Sequence, residues 1–104
     1  MKIINKTNYY LCEVKKKKDF LKLIDFLNSS QANFSIIINL LDWNSNAVDV
    51  CQSLLPFHFI WQKTNKSFIL VSNMKTKDFQ ELIIINSLEE ALDYFHMEEL
   101  TRNI

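Results

Sequence analysis

The residues of this chain that chemistry could use are few and scattered. The densest group is Asp42-Trp43-Asn44-Ser45-Asn46, a polar run that follows the apolar β-branched run Ile36-Ile37-Ile38. Three isoleucines in a row suit a central strand covered on both faces. The polar run then lies at the carboxyl end of that strand, where open α/β sheets usually place their sites. His58 and His96 form no H-x-H pair, and a lone histidine in an aromatic helix is far more often structural than an acid, base or ligand. Cys12 and Cys51 lie too far apart to read as a metal site or a disulfide framework, and both sit inside apolar patterns as small buried hydrophobes. No nucleophile–base–orienter set is legible. We therefore expect no catalytic residue, no metal and no cofactor.

Glycine is absent from the 104 residues. That excludes Gly-rich phosphate loops and dinucleotide fingerprints, which need backbone that only glycine permits. Tight turns must use asparagine, the next residue to tolerate positive φ; Asn8, Asn28, Asn65 and Asn73 fall where turns are expected. Lys+Arg and Asp+Glu balance at 12 each, without the basic excess of a nucleic-acid binder. Lys15 to Lys18 is the one basic run and reads as a solvated loop. A hydrophobic fraction of 48% is ample for a core. No apolar run approaches the roughly 20 residues that span a bilayer, and MKIINKTNYYL lacks an apolar stretch of signal-peptide length. A cytoplasmic, reduced protein of one domain, 1–104, is the expectation.

The elements that position the polar run follow from pattern. Residues 2–5 and 9–14 read as strands joined by a Lys6-Thr7-Asn8 hairpin turn. Asp19 is a plausible N-cap for a helix over 19–29, with Phe20, Leu23, Ile24 and Leu27 on one face. The central strand covers about 34–41. Ser45 or Asn46 then caps a helix over about 47–63 whose inner face is read as Val48, Cys51, Leu55 and Phe59. Pro56 removes the hydrogen bond to the Gln52 carbonyl and is expected to kink or split that helix. Strands at 67–72 and 82–85 flank a connection, 73–80, with room for one helical turn. Ser87-Leu88-Glu89-Glu90 has the form of a capping box and opens a helix over about 88–101, with Leu88, Ala91, Leu92, Phe95 and Leu100 facing inward. The order is ββαβαβ(α)βα. It implies an α/β fold: four to five strands in one mixed sheet, parallel beyond the first hairpin, with about four helices.

This order, with Lys66-Ser67-Phe68-Ile69-Leu70-Val71 as the strand after the long helix and Ser87-Leu88-Glu89-Glu90-Ala91-Leu92 opening the last one, resembles the STAS domain of anti-sigma-factor antagonists. The likeness spans nearly the whole chain. It is closer still to small bacterial STAS-like proteins often labelled ribonuclease Z, which share the K-S-F-x-x-V strand and a tail of the type Met97-Glu98-Glu99-Leu100. The metal motif of ribonuclease Z, H-x-H-x-D-H, is missing here, so that label implies at most association with such an enzyme or its RNA-processing system. STAS antagonists carry a phosphorylatable serine in a D-S-x-G motif where the central loop meets its helix. The matching position is Ser45, the one hydroxyl of that loop, although the glycine and the D-S pair are absent. A phosphate there would be favoured by the free N–H groups of the helix start; the plainer role of Ser45 is to cap the helix. Asp42 also sits where receiver domains hold their phosphoacceptor, but the acidic pair that chemistry needs for Mg²⁺ is reduced to Glu13.

Leu55-Pro56-Phe57-His58-Phe59-Ile60-Trp61 has more apolar residues than one helical face buries. Either the helix is sandwiched deeply or an apolar patch is exposed for a partner. The reading taken forward is a non-enzymatic STAS-like interaction module. Its contacts are expected from Asp42, Trp43, Asn44, Ser45, Asn46, Phe57 and Trp61, and its partner is a regulatory kinase, an anti-sigma-like protein or a second copy. The alternatives are an accessory to, or member of, a ribonuclease Z-type RNA-processing system, and a degenerate structural subunit without a switch.

Overall fold

Why the Ile36-Ile37-Ile38 run can be wholly apolar is plain from the layers around it. The computed structural model describes residues 1–44, 46–74 and 78–102. It places the elements as β1 (Lys2–Asn5), β2 (Tyr9–Glu13), α1 (Lys17–Ser29), β3 (Ser35–Asn39), α2 (Ala47–Lys63), β4 (Phe68–Val71), β5 (Ile83–Ile85) and α3 (Leu88–Arg102). One five-stranded sheet runs in the order β1-β2-β3-β4-β5. The β1–β2 hairpin is antiparallel, and each later pairing is parallel. Ile36, Ile37 and Ile38 are fully buried because alternate residues feed two separate cores. Ile36 and Ile38 join Cys12, Leu70 and the buried faces of α1 and α2. Ile37 joins Leu11, Ile69, Val71 and the Ala91 and Phe95 side chains of α3. Successive side chains on a strand point to opposite faces, so a strand covered on both sides loses its polar alternation.

Several local expectations shift. Helix α1 begins two residues before Asp19, and Lys16 at its N-cap makes no side-chain bond. Asp19 instead accepts from the Met1 amino group at 2.7 Å and the Lys15 N–H at 3.0 Å. Those two hydrogen bonds, the amino group's first, hold its carboxyl below the usual carboxylate range. Among the described residues, Asn65 (φ 61°) and Ala32 (φ 53°) adopt positive φ; Asn8, Asn28 and Asn73 do not. For Ala32 the left-handed conformation costs roughly 1–2 kcal/mol, while its methyl group is buried in the core. The described residues hold three helices. The turn of helix expected within 73–80 is not among them, residues 75–77 lie outside the description, and the remainder closes a turn from Leu82 N–H to Phe79 O at 3.1 Å.

Helix α2 runs unbroken through Pro56. Both Pro56 and Gln52 are exposed, so the carbonyl that loses its partner faces water, which removes the penalty of a buried unpaired group. Helix α3 opens as expected, with the Glu90 N–H donating to Ser87 Oγ at 3.1 Å. Leu100, expected inside, is 69% exposed. No helix among the described residues is long and apolar enough to cross a membrane.

Candidate functional site

The loop between β3 and α2 is held by its own polar side chains. Asn39 Oδ1 accepts from the Leu41 N–H at 3.0 Å, and the Trp43 N–H donates to Leu40 O at 3.2 Å. Asn46 is the observed N-cap: its Oδ1 accepts from the N–H groups of Val48 and Asp49 at 3.0 and 3.2 Å. Ser45 lies outside the described residues. Asp42 and Asn44 are exposed. Trp43 is half-buried, its ring 5.1 Å from that of Phe20. Beside this loop, against Ser72 to Met74 after β4, is a groove of about 390 Å³.

Helix α2 carries two apolar sets, and the sequence reading mixed them: of its expected inner face, Cys51 is buried and Leu55 packs partly against the core. Val50, Cys51, Leu54, Phe57, His58 and Trp61 are the buried set. Val48 and Phe59, expected inside, are 44% and 42% exposed, and Ile60 is 47% exposed. Both sets recur at helical spacing, so periodicity alone does not choose between them. Phe57 and Trp61, expected as contact residues, are core residues instead. Trp61 is 1% exposed. Its ring centroid lies 5.5 Å from that of Phe68, and its Nε1–H donates to Phe34 O at 2.8 Å. A tryptophan so placed satisfies its one donor inside the fold and has no surface left to offer.

A wider groove of about 750 Å³ lies at the same end as the β3–α2 loop, where β4 and β5 finish; the opposite end of the sheet holds a further cleft, which sequence reasoning missed. It measures about 480 Å³ and lies between the carboxyl-terminal halves of α2 and α3. Ser67, just before β4, ties three elements there. Its backbone oxygen accepts from the Ile36 N–H at 2.9 Å, its N–H donates to Ser35 Oγ at 3.0 Å, and its hydroxyl donates to Glu98 Oε1 at 2.8 Å. Arg102 approaches the second Glu98 oxygen at 3.8 Å and Glu99 at 3.4 Å. His58 lines the same cleft and is 9% exposed. Its Nδ1 is buried and has no hydrogen-bond partner among the described residues. A buried polar atom left unpaired costs on the order of 1–3 kcal/mol and calls for an explanation. One signal was available in sequence. Glu98 falls on the helix face of Ala91 and Phe95, where a carboxylate requires a partner.

Desolvation orders the titrating groups. It pushes the His58 imidazole below its ordinary value, with Glu81 and Glu98 pulling the other way. It pushes the Tyr94 hydroxyl up, assisted by Glu98 and opposed by Arg102. It pushes the Cys12 thiol up to about 12 and raises Cys51 as well, so both thiols stay protonated and unreactive at neutral pH. Among the described residues, no three His, Cys, Asp or Glu side chains converge as a metal would require. No family model matches the chain, and no curated protein matches it either.

Proposed function

We propose that this chain is a non-enzymatic, STAS-like interaction module that binds a protein partner through the outer face of α2 and the adjoining Asp42–Asn46 loop. The observation that carries the reading is the exposure of Val48, Phe59 and Ile60 along one side of a helix whose other side is fully packed. Leu55 and Pro56 continue the strip between them. Aromatic and large aliphatic side chains exposed together are the usual centre of an interface. Asp49 follows Val48 in the first turn of the helix and Asp42 lies in the loop before it, both exposed, so the partner suited to this surface presents an apolar ridge ending in basic residues. The resemblance set out above names the class: an anti-sigma-like protein or a regulatory kinase, with Ser45 as the phosphoacceptor that would add charge at the rim.

The test compares capture of partners from the source cell's extract by the wild-type chain and by Phe59→Ser/Ile60→Ser. A discrete species held by the first and lost by the second, with circular dichroism unchanged, supports the reading. Light scattering across a concentration series separates a second copy of the chain from a different protein. Equal capture by both chains removes the α2 face from the argument.

A further inference from the structure

We propose that the cleft at the amino end of β4 and β5 binds a small organic anion with a flat apolar body. The proposal is independent of the outer face of α2. The cleft exists because β5 is short: it begins at Ile83, opposite Ile69, and leaves Ser67 and Phe68 without a neighbour on that side. Helix α2 walls the gap with His58, and α3 walls it with Met97, Glu98 and Arg102. Its volume of about 480 Å³ falls within the roughly 300–1,000 Å³ of small-molecule sites.

The lining carries two cations, Arg102 and Lys66, and one carboxylate, Glu98. Both Glu98 oxygens are engaged from within the fold, one by Ser67 and one by Arg102. Arg102 holds its two carboxylates only loosely, at 3.4 and 3.8 Å, which leaves guanidinium N–H groups for a further acceptor. Lys66 at the rim makes no ion pair among the described residues. A fork-shaped guanidinium with a neighbouring ammonium suits a carboxylate or a phosphate equally. Phe68, Ile83 and Met97 supply the apolar wall. Met97 is 66% exposed at the mouth, and its flexible thioether adapts to a flat ring.

The experiment titrates the full ¹⁵N-labelled chain with 1-naphthoate, 1-naphthyl phosphate, neutral 1-naphthylmethanol and inorganic phosphate. The expected result is saturable movement of the Lys66, Ser67, Ile83 and Arg102 amides by the two naphthyl anions, with Asp42 and Asn44 unmoved. The neutral alcohol and inorganic phosphate should each bind about tenfold or more weakly, the worth of one charge-assisted contact or one buried ring. The tighter of the two anions identifies the head group, and either supports the proposal. Met97 is exposed enough to change without unfolding the chain, so Met97→Lys should tighten and Met97→Glu should weaken the anions several-fold. Equal binding of alcohol and anions, equal binding of inorganic phosphate, no opposed effect of the Met97 pair, or no saturable movement of these amides would each overturn it.

Discussion

The two ends of the parallel sheet differ in how completely the fold satisfies them. At the carboxyl end of β3 and β4, the side chains of Asn39, Asn46 and Ser72 each accept from nearby backbone N–H groups, and Trp43 rests on Phe20. The loop there is polar, beside a groove of about 390 Å³ and, where β4 and β5 end, a wider one of about 750 Å³ lined by side chains and backbone of the following turn. At the amino end, Ser67 and Glu98 are bonded to each other, but His58 Nδ1 has no partner among the described residues and Arg102 is only loosely held. Helix α2 links the two ends, capped by Asn46 at one and packed by His58 and Trp61 at the other. The difference teaches that position relative to the strands is a weaker guide to a site than unmet hydrogen-bonding capacity. The usual end carries an exposed loop, while the other carries the unbalanced chemistry.

The largest effect expected is on the tryptophans that sit at those ends. Trp61→Ala should lower unfolding free energy by about 3–5 kcal/mol, because it empties a fully buried aromatic site. Trp61→Phe keeps a ring but leaves Phe34 O without its 2.8 Å donor, for a smaller loss of about 1–3 kcal/mol. Trp43→Ala, at a half-buried ring, should cost less than Trp61→Ala, about 1–2 kcal/mol by area. Urea titrations of the three variants decide this. A Trp43→Ala loss as large as that of Trp61→Ala would make the carboxyl-end loop structural and break the contrast.

His58 gives the next effect, and its sign can be worked out. Burial holds the folded pKa below the ordinary value, with Glu81 and Glu98 opposing. Below about pH 6.5 the unfolded chain therefore binds the proton first. Stability should be independent of His58 above about pH 7 and fall as pH drops from about 6.5 through the folded pKa. His58→Phe removes both that slope and the unpaired Nδ1. Urea midpoints measured from pH 7.5 to 5 should decline less in the variant than in the wild type. Parallel declines would show that the imidazole titrates as it does in the unfolded chain.

How much of this was legible depends on whether the signal is local. The Ile36-Ile37-Ile38 run announced a strand covered on both faces, and Ser87 with Glu90 marked the start of α3 to the residue, because strand burial and capping are written within a few positions. The stripe of α1 was legible for the same reason. The register of α2 was not. Val48, Leu55 and Phe59 repeat at the same period as Leu54, Phe57 and Trp61, and only the neighbouring sheet selects which set is buried. Phe57 and Trp61 were thus expected at a surface they do not reach. The amino-end cleft was illegible because Ser67 and Glu98 meet through tertiary structure. Asp19 escaped as a cap because its partners are the Met1 amino group and the Lys15 N–H, which precede the helix.

The Asn46 cap sharpens the comparison from the carboxyl end. Asn46→Ala should cost about 1 kcal/mol and Asn46→Gly only a few tenths, since glycine leaves the two N–H groups open to water. Ser45→Ala should leave stability nearly unchanged, because the capping bonds belong to Asn46. A loss of about 1 kcal/mol at Ser45 instead would move the cap and make a regulatory role for that hydroxyl costly to the fold.

The smallest effect on stability should come from the face of α2 that carries the functional proposal. Phe59 and Ile60 are each close to half exposed, so Phe59→Ser and Ile60→Ser remove little buried area and should change unfolding free energy by about 0.5 kcal/mol or less. Partner binding should respond quite differently. A central interface aromatic typically costs about 2 kcal/mol or more when truncated, because the apolar surface it covered is left facing water. Ser45→Asp tests the rim of the same surface. If the loop meets the partner, an added carboxylate in it would have to be desolvated, so binding should fall while the urea midpoint holds. Calorimetric titration of the captured partner against each variant reads both effects on one scale. Loss of stability without loss of binding at Phe59 and Ile60 would place that strip with the core, leaving the amino-end cleft as the better candidate for what this chain does.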